Sequence, residues 1–598
     1  MAKNKKKAAL NALTLGGLVA SQVGLFAAPA SATAATVTNC NDSGAGSLRQ
    51  ALLDNNSVGG TTISFDLSCD TITTSSPLYI TRNVNIFGPG ANALTVQTDE
   101  TNDDATFSIN NDGQTNLDLT NVEISGLTIV SPRDMPNGTA TAAVRVGPKW
   151  ASVEPLDEMD LTVSDTKFIG IGNAGLAIDV KATGDSVVNV DNIEITVGDA
   201  DQSIWSNHAY GIETLGATEL NITNSYFHEV DAWAVNAIGA NGVPTDVRIE
   251  NSNFDGVQNI WIQENGDLDI KNSYIAAESD GALSIGSPDL VTITNSTVIG
   301  NVFSEGTMIS AWTEIRLFSD TIIVKDRPGD SAFMSAGVIT MAGTIIASET
   351  TDALNCNSMV QNDLGGNLAT NSGCVVNDSG DAVNGDSSIV SWADLDLGEP
   401  GLNTTNPTNG GMIPSIALGE DSVARDYFTY EQLDALNRGE YIPTYVDIRG
   451  VNRPFNGIYD VGAYEYASDG SFVSCVAKSK IGKINFNAFS SNLTKKSKAK
   501  LRAFATEISA SGCGTVVLNG YTSVNIWGSN SKSTSAKLAS ARTSAAKKFL
   551  AKALTDLGVN VEFVRHSIGN ADPIASNKSE SGRAKNRRVE IFVKPTVG

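Results

Sequence analysis

The sequence is poor in histidine, cysteine, aromatic and, over most of its length, basic residues. Three histidines in 598 residues leave little for a histidine-based metal centre, and the six cysteines match no C-x2-C zinc spacing. Aromatic residues are 6% of the chain and form no girdles of the kind a membrane β-barrel carries at its interfaces. Beyond residue 28 no stretch approaches the about 18–20 apolar residues that cross a bilayer as a helix. Residues 36–474 hold only 16 Lys/Arg against 60 Asp/Glu, a net −44. Residues 475–598 hold 21 against 6, a net +15; with +4 from the N-terminus the sum is −25. Such asymmetry points to two regions with different partners. The length exceeds the about 250–300 residues of one compact core, so two or more units, or an elongated repeat, are expected.

Residues 1–34 read as a secretory signal peptide. MAKNKKK supplies a basic start, a small-residue apolar stretch follows to about residue 28, and Ala30-Ser31-Ala32 fits an A-x-A cleavage site. The alternative is an uncleaved N-terminal anchor. Export accords with six cysteines, which fall into three sequence neighbours: Cys40 with Cys69, Cys356 with Cys374, Cys475 with Cys513. Six cysteines allow 15 connectivities, and the spacing alone does not select one.

A repeat runs through the acidic region. LDLTNVEI (from Leu117), LTVSDTKF (Leu161), VNVDNIEI (Val188), LNITNSYF (Leu220), VRIENSNF (Val247), LDIKNSYI (Leu268), VTITNSTV (Val291) and IRLFSDTI (Ile315) each alternate apolar with polar residues. Each then turns at a small polar residue: Asn121, Asp165, Asn192, Asn224, Asn251, Asn272, Asn295, Ser319. Period-two alternation means half-buried strands, and helical i, i+3, i+4 runs are absent. From Asn192 the steps are 32, 27, 21, 23 and 24 residues, the signature of a solenoid. The expected fold is mainly β: a parallel β-helix whose turn asparagines stack and bond along the axis. The register would set Arg248 one coil from Asp269 and Glu250 one coil from Lys271.

The ends of this region carry a resemblance. VTNCNDSGAGSLRQALLDNN with GGTTISFD and NVNIFGPGANALTV at the start, and NGGMIPSIALGEDSVARD with DIRGVNRPFNGIYDVGAYEY at the far end, resemble exported bacterial right-handed β-helix proteins. The resemblance brackets residues 35–466 and implies a helix at GSLRQAL capping the first coil. It implies fold and export, not a substrate.

For an enzyme, a β-helix needs a lyase base with uronate neutralisation or a hydrolase carboxylate pair. Asp255, Asp267 and Asp269 are candidates, but acidic residues are spread through the region and select no pair; the scarcity of basic residues weakens a lyase. Residues 377–386, NDSGDAVNGD, offer the oxygen ligands Ca2+ takes but lack the ordered spacing of a calcium loop. No other cofactor is indicated. Trp205, Trp233 and Trp261 recur 28 residues apart, either as an aromatic strip for sugar stacking or as packing within the solenoid or its flank.

After a short linker at residues 467–474 the pattern changes to β-α-β-α-β-β. Strands are expected at 483–489, 515–521, in VNVEFVRH and in RRVEIFVKP. One helix would carry Leu501, Phe504, Ala505 and Ile508 on its face, a second Leu538, Ala541, Ala545, Phe549 and Ala553. LNGYTS, KLASARTSAAKKFL and GNADPIASNKSESGRAKNRRVEI resemble the OmpA-like C-terminal domain family over about residues 478–596. That resemblance implies non-covalent binding of peptidoglycan, with an arginine and an aspartate gripping the free diamino-acid end of a stem peptide. The arginine falls on Arg542; Thr522 and Ser523 occupy the pocket motif, with Ser523 where the family has its aspartate. Loss of that carboxylate removes a charge-assisted bond of about 1.5–3 kcal/mol, roughly one to two decades in Kd. Arg587 and Arg588, as strand neighbours, should face opposite ways, so at most one would meet a ligand. The expectation is an exported, wall-associated surface protein with peptidoglycan or anionic wall polymer as partner, extracellular polysaccharide as a further one, and no nucleic acid. The competing expectation is a wall-tethered polysaccharide lyase or hydrolase.

Overall fold

The computed structural model describes residues 34–99, 104–110, 119–131, 141–148, 159–170, 175–181, 186–197, 210–217, 219–228, 230, 233–239, 244–257, 259–263, 266–277, 284–286, 288–301, 307–325, 334–348, 356–371, 373–374, 387–401, 413–429, 446–451, 453, 458–466, 479–509, 515–523, 532–555, 561–570 and 573–594. The linker at 467–474, the 377–386 stretch, Trp205, Cys475 and Cys513 lie outside the described residues.

From residue 34 to 389 short parallel strands stack in three columns, a parallel β-helix. One coil shows the plan. Strand Asp246–Glu250 turns at Asn251 into Asn253–Asp255, continues as Asn259–Gln263, and returns one level on as Leu268–Lys271. Val247 then lies beside Leu268, Asn253 beside Tyr274 and Asn259 beside Ser284. Inward residues stack like on like: Val247, Ile249, Leu268, Ile270, Val291, Ile293, Ile315 and Leu317 are all buried. Each such side chain contributes about 1.5–3 kcal/mol on leaving water.

The corner residue dictates the turn. Asp165, Asn192, Asn224, Asn251, Asn272, Asn295 and Ser319 all have φ between 48° and 57°. That is the left-handed region, which Asn and Asp tolerate because their side chains bond locally. Asn121 is not the first of this series. It begins a strand opposite Asp160, and the corner there is Gly126, at φ 68°. Glycine serves the same conformation without a side chain.

Asparagine stacking along this corner is partial. Asn192 donates to Asp165 and Asn295 to Asn272, whereas Asn224 donates to Asp191. The continuous ladder lies one residue further on. The N–H of Ile193 donates to the Ser225 hydroxyl, Ser225 to Ser252, Ser252 to Ser273, Ser273 to Ser296, Ser296 to Asp320, Asp320 to Thr344, Thr344 to Asn367 and Asn367 to Ser387. Each serine hydroxyl from Ser225 to Ser296 also donates to the carbonyl two residues back on its own coil. A buried amide is thereby satisfied at every level from Ile193 to Asn367.

The outward charge pairing differs from expectation although the register agrees. Arg248 lies beside Asp269 and Glu250 beside Lys271. Yet Arg248 pairs with Glu219 on the preceding coil, and Lys271 with Asp269 on its own strand at 2.6 Å. Long side chains reach along or diagonally across a sheet as readily as straight over it.

Both ends are closed. Ser47 caps the helix Leu48–Val58, whose Leu48, Ala51, Leu52 and Asn55 are buried over the first coil. The first strand, Ala34–Val37, starts inside the segment assigned to the signal, because it pairs with Thr61–Phe65. Cys40 is bonded to Cys69 and Cys356 to Cys374. At the far end Phe428, Tyr459, Val461 and Ala463 pack with Ile345, Ala347 and Leu368. Beneath them lie two buried ion pairs, Arg449 with Asp447 and Arg453 with Glu465.

Residues 479–594 form a separate four-stranded sheet in the spatial order Ser479–Asn485, Arg588–Lys594, Thr515–Tyr521, Glu562–Gly569. The helices Lys495–Ser509 and Lys532–Thr555 pack on it, and a short helix, Glu580–Asn586, precedes the last strand. Leu501, Ala505 and Ile508 are buried, with Phe504 partly so. The second helix buries a face one step from the expected one: Ala539, Arg542, Thr543, Ala546, Leu550 and Leu554. Close approach to the sheet sets that face, since a Cβ on Gly520 would lie 2.7 Å from both Ala539 O and Thr543 Cγ2.

Ser252→Ala should cost about 1–3 kcal/mol, because the Ser225 amide loses its acceptor. Asn251→Val should cost about 1–2 kcal/mol from left-handed strain, while Asn251→Gly should be close to neutral. Amide exchange of the solenoid, read at Ser225 and Ser252, checks all three; equal protection in every variant would contradict the ladder's role.

Candidate functional site

Two places combine buried charge with unspent hydrogen-bonding atoms. The first is the corner around Arg542. This side chain is fully buried on the Lys532–Thr555 helix. Its Nε donates to Ser490 O at 2.9 Å, Nη1 to Tyr521 O at 3.0 Å and Nη2 to Asn487 O at 3.2 Å. The guanidinium also lies over the Phe486 ring at 5.3 Å. Among the described residues no carboxylate forms an ion pair with it. Burial, with Arg587 nearby, pushes its pKa down to about 10. Thr522 follows on from the strand that supplies Tyr521, and its N–H donates to Gly569 O. The buried hydroxyls of Thr522 and Ser535 have no partner among the described residues. Ser523, next to Thr522 in the chain, is half-buried.

Arg587 and Arg588 both turn inward. Arg587 donates to Phe486 O and pairs with Glu580 at 2.7 Å. Arg588 pairs with Glu590 at 3.0 Å and stacks over Tyr521, 3.6 Å from the ring centre. The expectation that they face opposite ways gives way to packing: Arg587 ends the short helix rather than continuing a strand.

The second place is a row of outward residues on the solenoid. Adjacent coils align Ser108, Arg145, Asp179, Glu213, Asn236 and Trp261. Arg145 binds Asp179 at 2.7 Å and Asp104 at 2.6 Å, and Lys181 approaches Asp179 at 3.5 Å; Arg145 and Asp179 are buried. Burial and the Asp179 charge raise the Glu213 pKa against the lowering influence of its bond from Asn236 and of Lys181 and Arg145. None of these positions falls in the repeat segments legible in the sequence, and nothing there marks them as aligned, because the coil lengths differ.

The sequence candidates do not converge. Asp269 is spent on Lys271, and Asp267, close to it in the chain, is pushed upward by burial, then by Asp246 and Asp289. Asp255 lies on a different face of the coil. Among the described residues no group of three or more His, Cys, Asp or Glu is gathered to hold a metal. Trp233 and Trp261 are not one coil repeat apart: Trp233 aligns with Asn259, and Trp261 with Asn236. Their rings still meet, 6.1 Å between centres. Among the described residues no helix is long and apolar enough to cross a membrane.

The chain carries a right-handed β-helix region: the family model of that description matches residues 155–326. No curated protein matches the chain. Among solved structures, the chain is similar to the periplasmic domain of Helicobacter pylori MotB (residues 90–256), at 26% identity over 19% of this chain and 75% of that one, with a TM-score of 0.16. It is also similar to the cell wall anchor of the T6SS from Pseudomonas aeruginosa, at 26% identity over 19% and 79%, with a TM-score of 0.15.

The raised Glu213 pKa gives a signed expectation. A carboxyl whose folded pKa exceeds its unfolded value loses its stabilising contribution as pH rises through the folded value. Glu213→Gln removes that loss. The melting temperature of the variant relative to the parent should therefore climb from about pH 4 towards pH 7. A difference that stays flat or falls would contradict the buried setting of Glu213.

Proposed function

We propose that the chain is an exported cell-envelope protein. In this reading residues 475–598 are an OmpA-like domain that associates non-covalently with peptidoglycan or anionic wall polymers. The acidic β-helix of residues 35–466 serves adhesion, carbohydrate binding or a structural role at the surface.

The observation that carries the wall reading is Arg542, a buried cation without a carboxylate partner among the described residues. Three of its five N–H groups are spent on carbonyls, which hold the guanidinium in place but do not neutralise it. An anion is the natural complement of such a group, and a carboxylate fits the fork of donors best. The unspent hydroxyls of Thr522 and Ser535 add polar atoms to the same corner. The net +15 of residues 475–598 draws in anionic polymers at longer range. With Ser523 in place of a carboxylate, recognition rests on the anionic end of the ligand and not on an ammonium.

Pelleting of the chain with purified cell walls tests this. The parent should pellet with walls stripped of secondary polymers. Arg542→Lys, which keeps the charge but loses the fork, should pellet about tenfold less well. Retained amide protection in strand Thr515–Tyr521 separates lost binding from lost folding. Pelleting that needs the anionic polymers and vanishes in salt would assign the binding to charge alone. No pelleting with either preparation would overturn the proposal.

A further inference from the structure

We propose that Glu213, Asn236 and Trp261, flanked by Trp233, form a binding site for an uncharged saccharide on the outside of the solenoid. This rests on the carbohydrate-binding reading of the β-helix and adds the site and the ligand class.

The three residues are consecutive in one outward row, so their side chains sit at the about 4.8 Å spacing of neighbouring strands. Asn236 is buried and fixed: its Nδ2 donates to Glu213 Oε2 at 2.8 Å. Among the described residues its Oδ1 has no partner, and neither has Oδ1 of the buried Asp179 at the root of the row. Buried acceptors left open cost about 1–3 kcal/mol each, which a donor-bearing ligand relieves. Glu213, Trp233 and Trp261 are half-buried, so the row opens to solvent on this side.

The ring of Trp261 is positioned by the coil above. A Cβ on Gly286 would lie 3.1 Å from its Cζ3, so the glycine makes room for the indole. The result is an aromatic face next to the oriented Asn236 amide and the half-buried Glu213 carboxyl. That pairing suits a pyranose, with an apolar C–H face to lie on the ring and hydroxyls to donate.

Charge narrows the class. Among the described residues Asp104, Asp179 and Glu213 outnumber Arg145 and Lys181 by one, and Arg145 is engaged by the first two. Uronates, phosphates and nucleic acids meet net repulsion here. A purely apolar ligand would leave the open acceptors unpaired.

Affinity electrophoresis of the chain through gels cast with neutral glucan, xylan or mannan tests the site, with polygalacturonate as the anionic comparison. At least one neutral polymer should retard the protein and polygalacturonate should not. Trp261→Ala and Asn236→Ala should each weaken retardation at least about tenfold. Trp261→Phe, which keeps a ring, should lie between, and thermal melts confirm that each variant is folded. Trp312→Ala, which removes an exposed tryptophan elsewhere, should change nothing. Undiminished retardation in the Trp261 and Asn236 variants would overturn this site and leave the carbohydrate reading standing. No retardation by any neutral polymer would overturn both, and preferential retardation by polygalacturonate would overturn the charge argument.

Discussion

The solenoid depends on one repeated constraint, a left-handed corner followed by a buried amide that must find an acceptor. The corner turns the chain between two columns, and only Asn, Asp, Gly and one Ser occupy it from Gly126 to Ser319. The next residue's N–H then points along the axis into a place water does not reach. A hydroxyl, carboxyl or amide oxygen from the following coil accepts it, from Ile193 to Asn367 without a break. Strand register, core stacking and the outward rows all follow from that alignment.

The same need for satisfaction explains motifs that look functional in the sequence. In the 447–466 stretch, Asp447, Arg449, Arg453 and Glu465 are buried ion partners beneath the closing cluster. Asp447 also accepts the N–H groups of Arg449 and Val451. In the 579–593 stretch, Arg583, Arg587 and Arg588 all bond to Glu580 or Glu590. Arg542 differs: its partners are carbonyls, and among the described residues no carboxylate pairs with it. The proposed wall reading rests on that contrast.

Much of the fold was legible because burial alternates with period two and the corner demands special residues. The strand Thr515–Tyr521 and the register of Arg248 with Asp269 follow from local pattern alone. The misreadings have local causes. Asn121 resembles the corner series in composition, but it begins the strand, and the left-handed site of that coil is Gly126. The face of the Lys532–Thr555 helix was misjudged because its alanines look apolar on every side, and the buried Arg542 and the close contact at Gly520 decide the matter. The 28-residue tryptophan spacing suggested one repeat, whereas coils of unequal length set Trp261 against Asn236. The hydroxyl ladder was visible as a serine after most corners, but its bonds run between coils and leave no mark within one. The row of Arg145, Asp179 and Glu213 was hidden for the same reason.

The central functional claim is that a ligand carboxylate completes the charge at Arg542. A crystal structure of the protein with a soluble peptidoglycan stem peptide tests it most directly. The account predicts a carboxylate of the peptide within about 3 Å of the Arg542 guanidinium, with Thr522 or Ser535 in hydrogen-bonding range. A peptide bound elsewhere, with Arg542 still held only by Asn487, Ser490 and Tyr521, would contradict it.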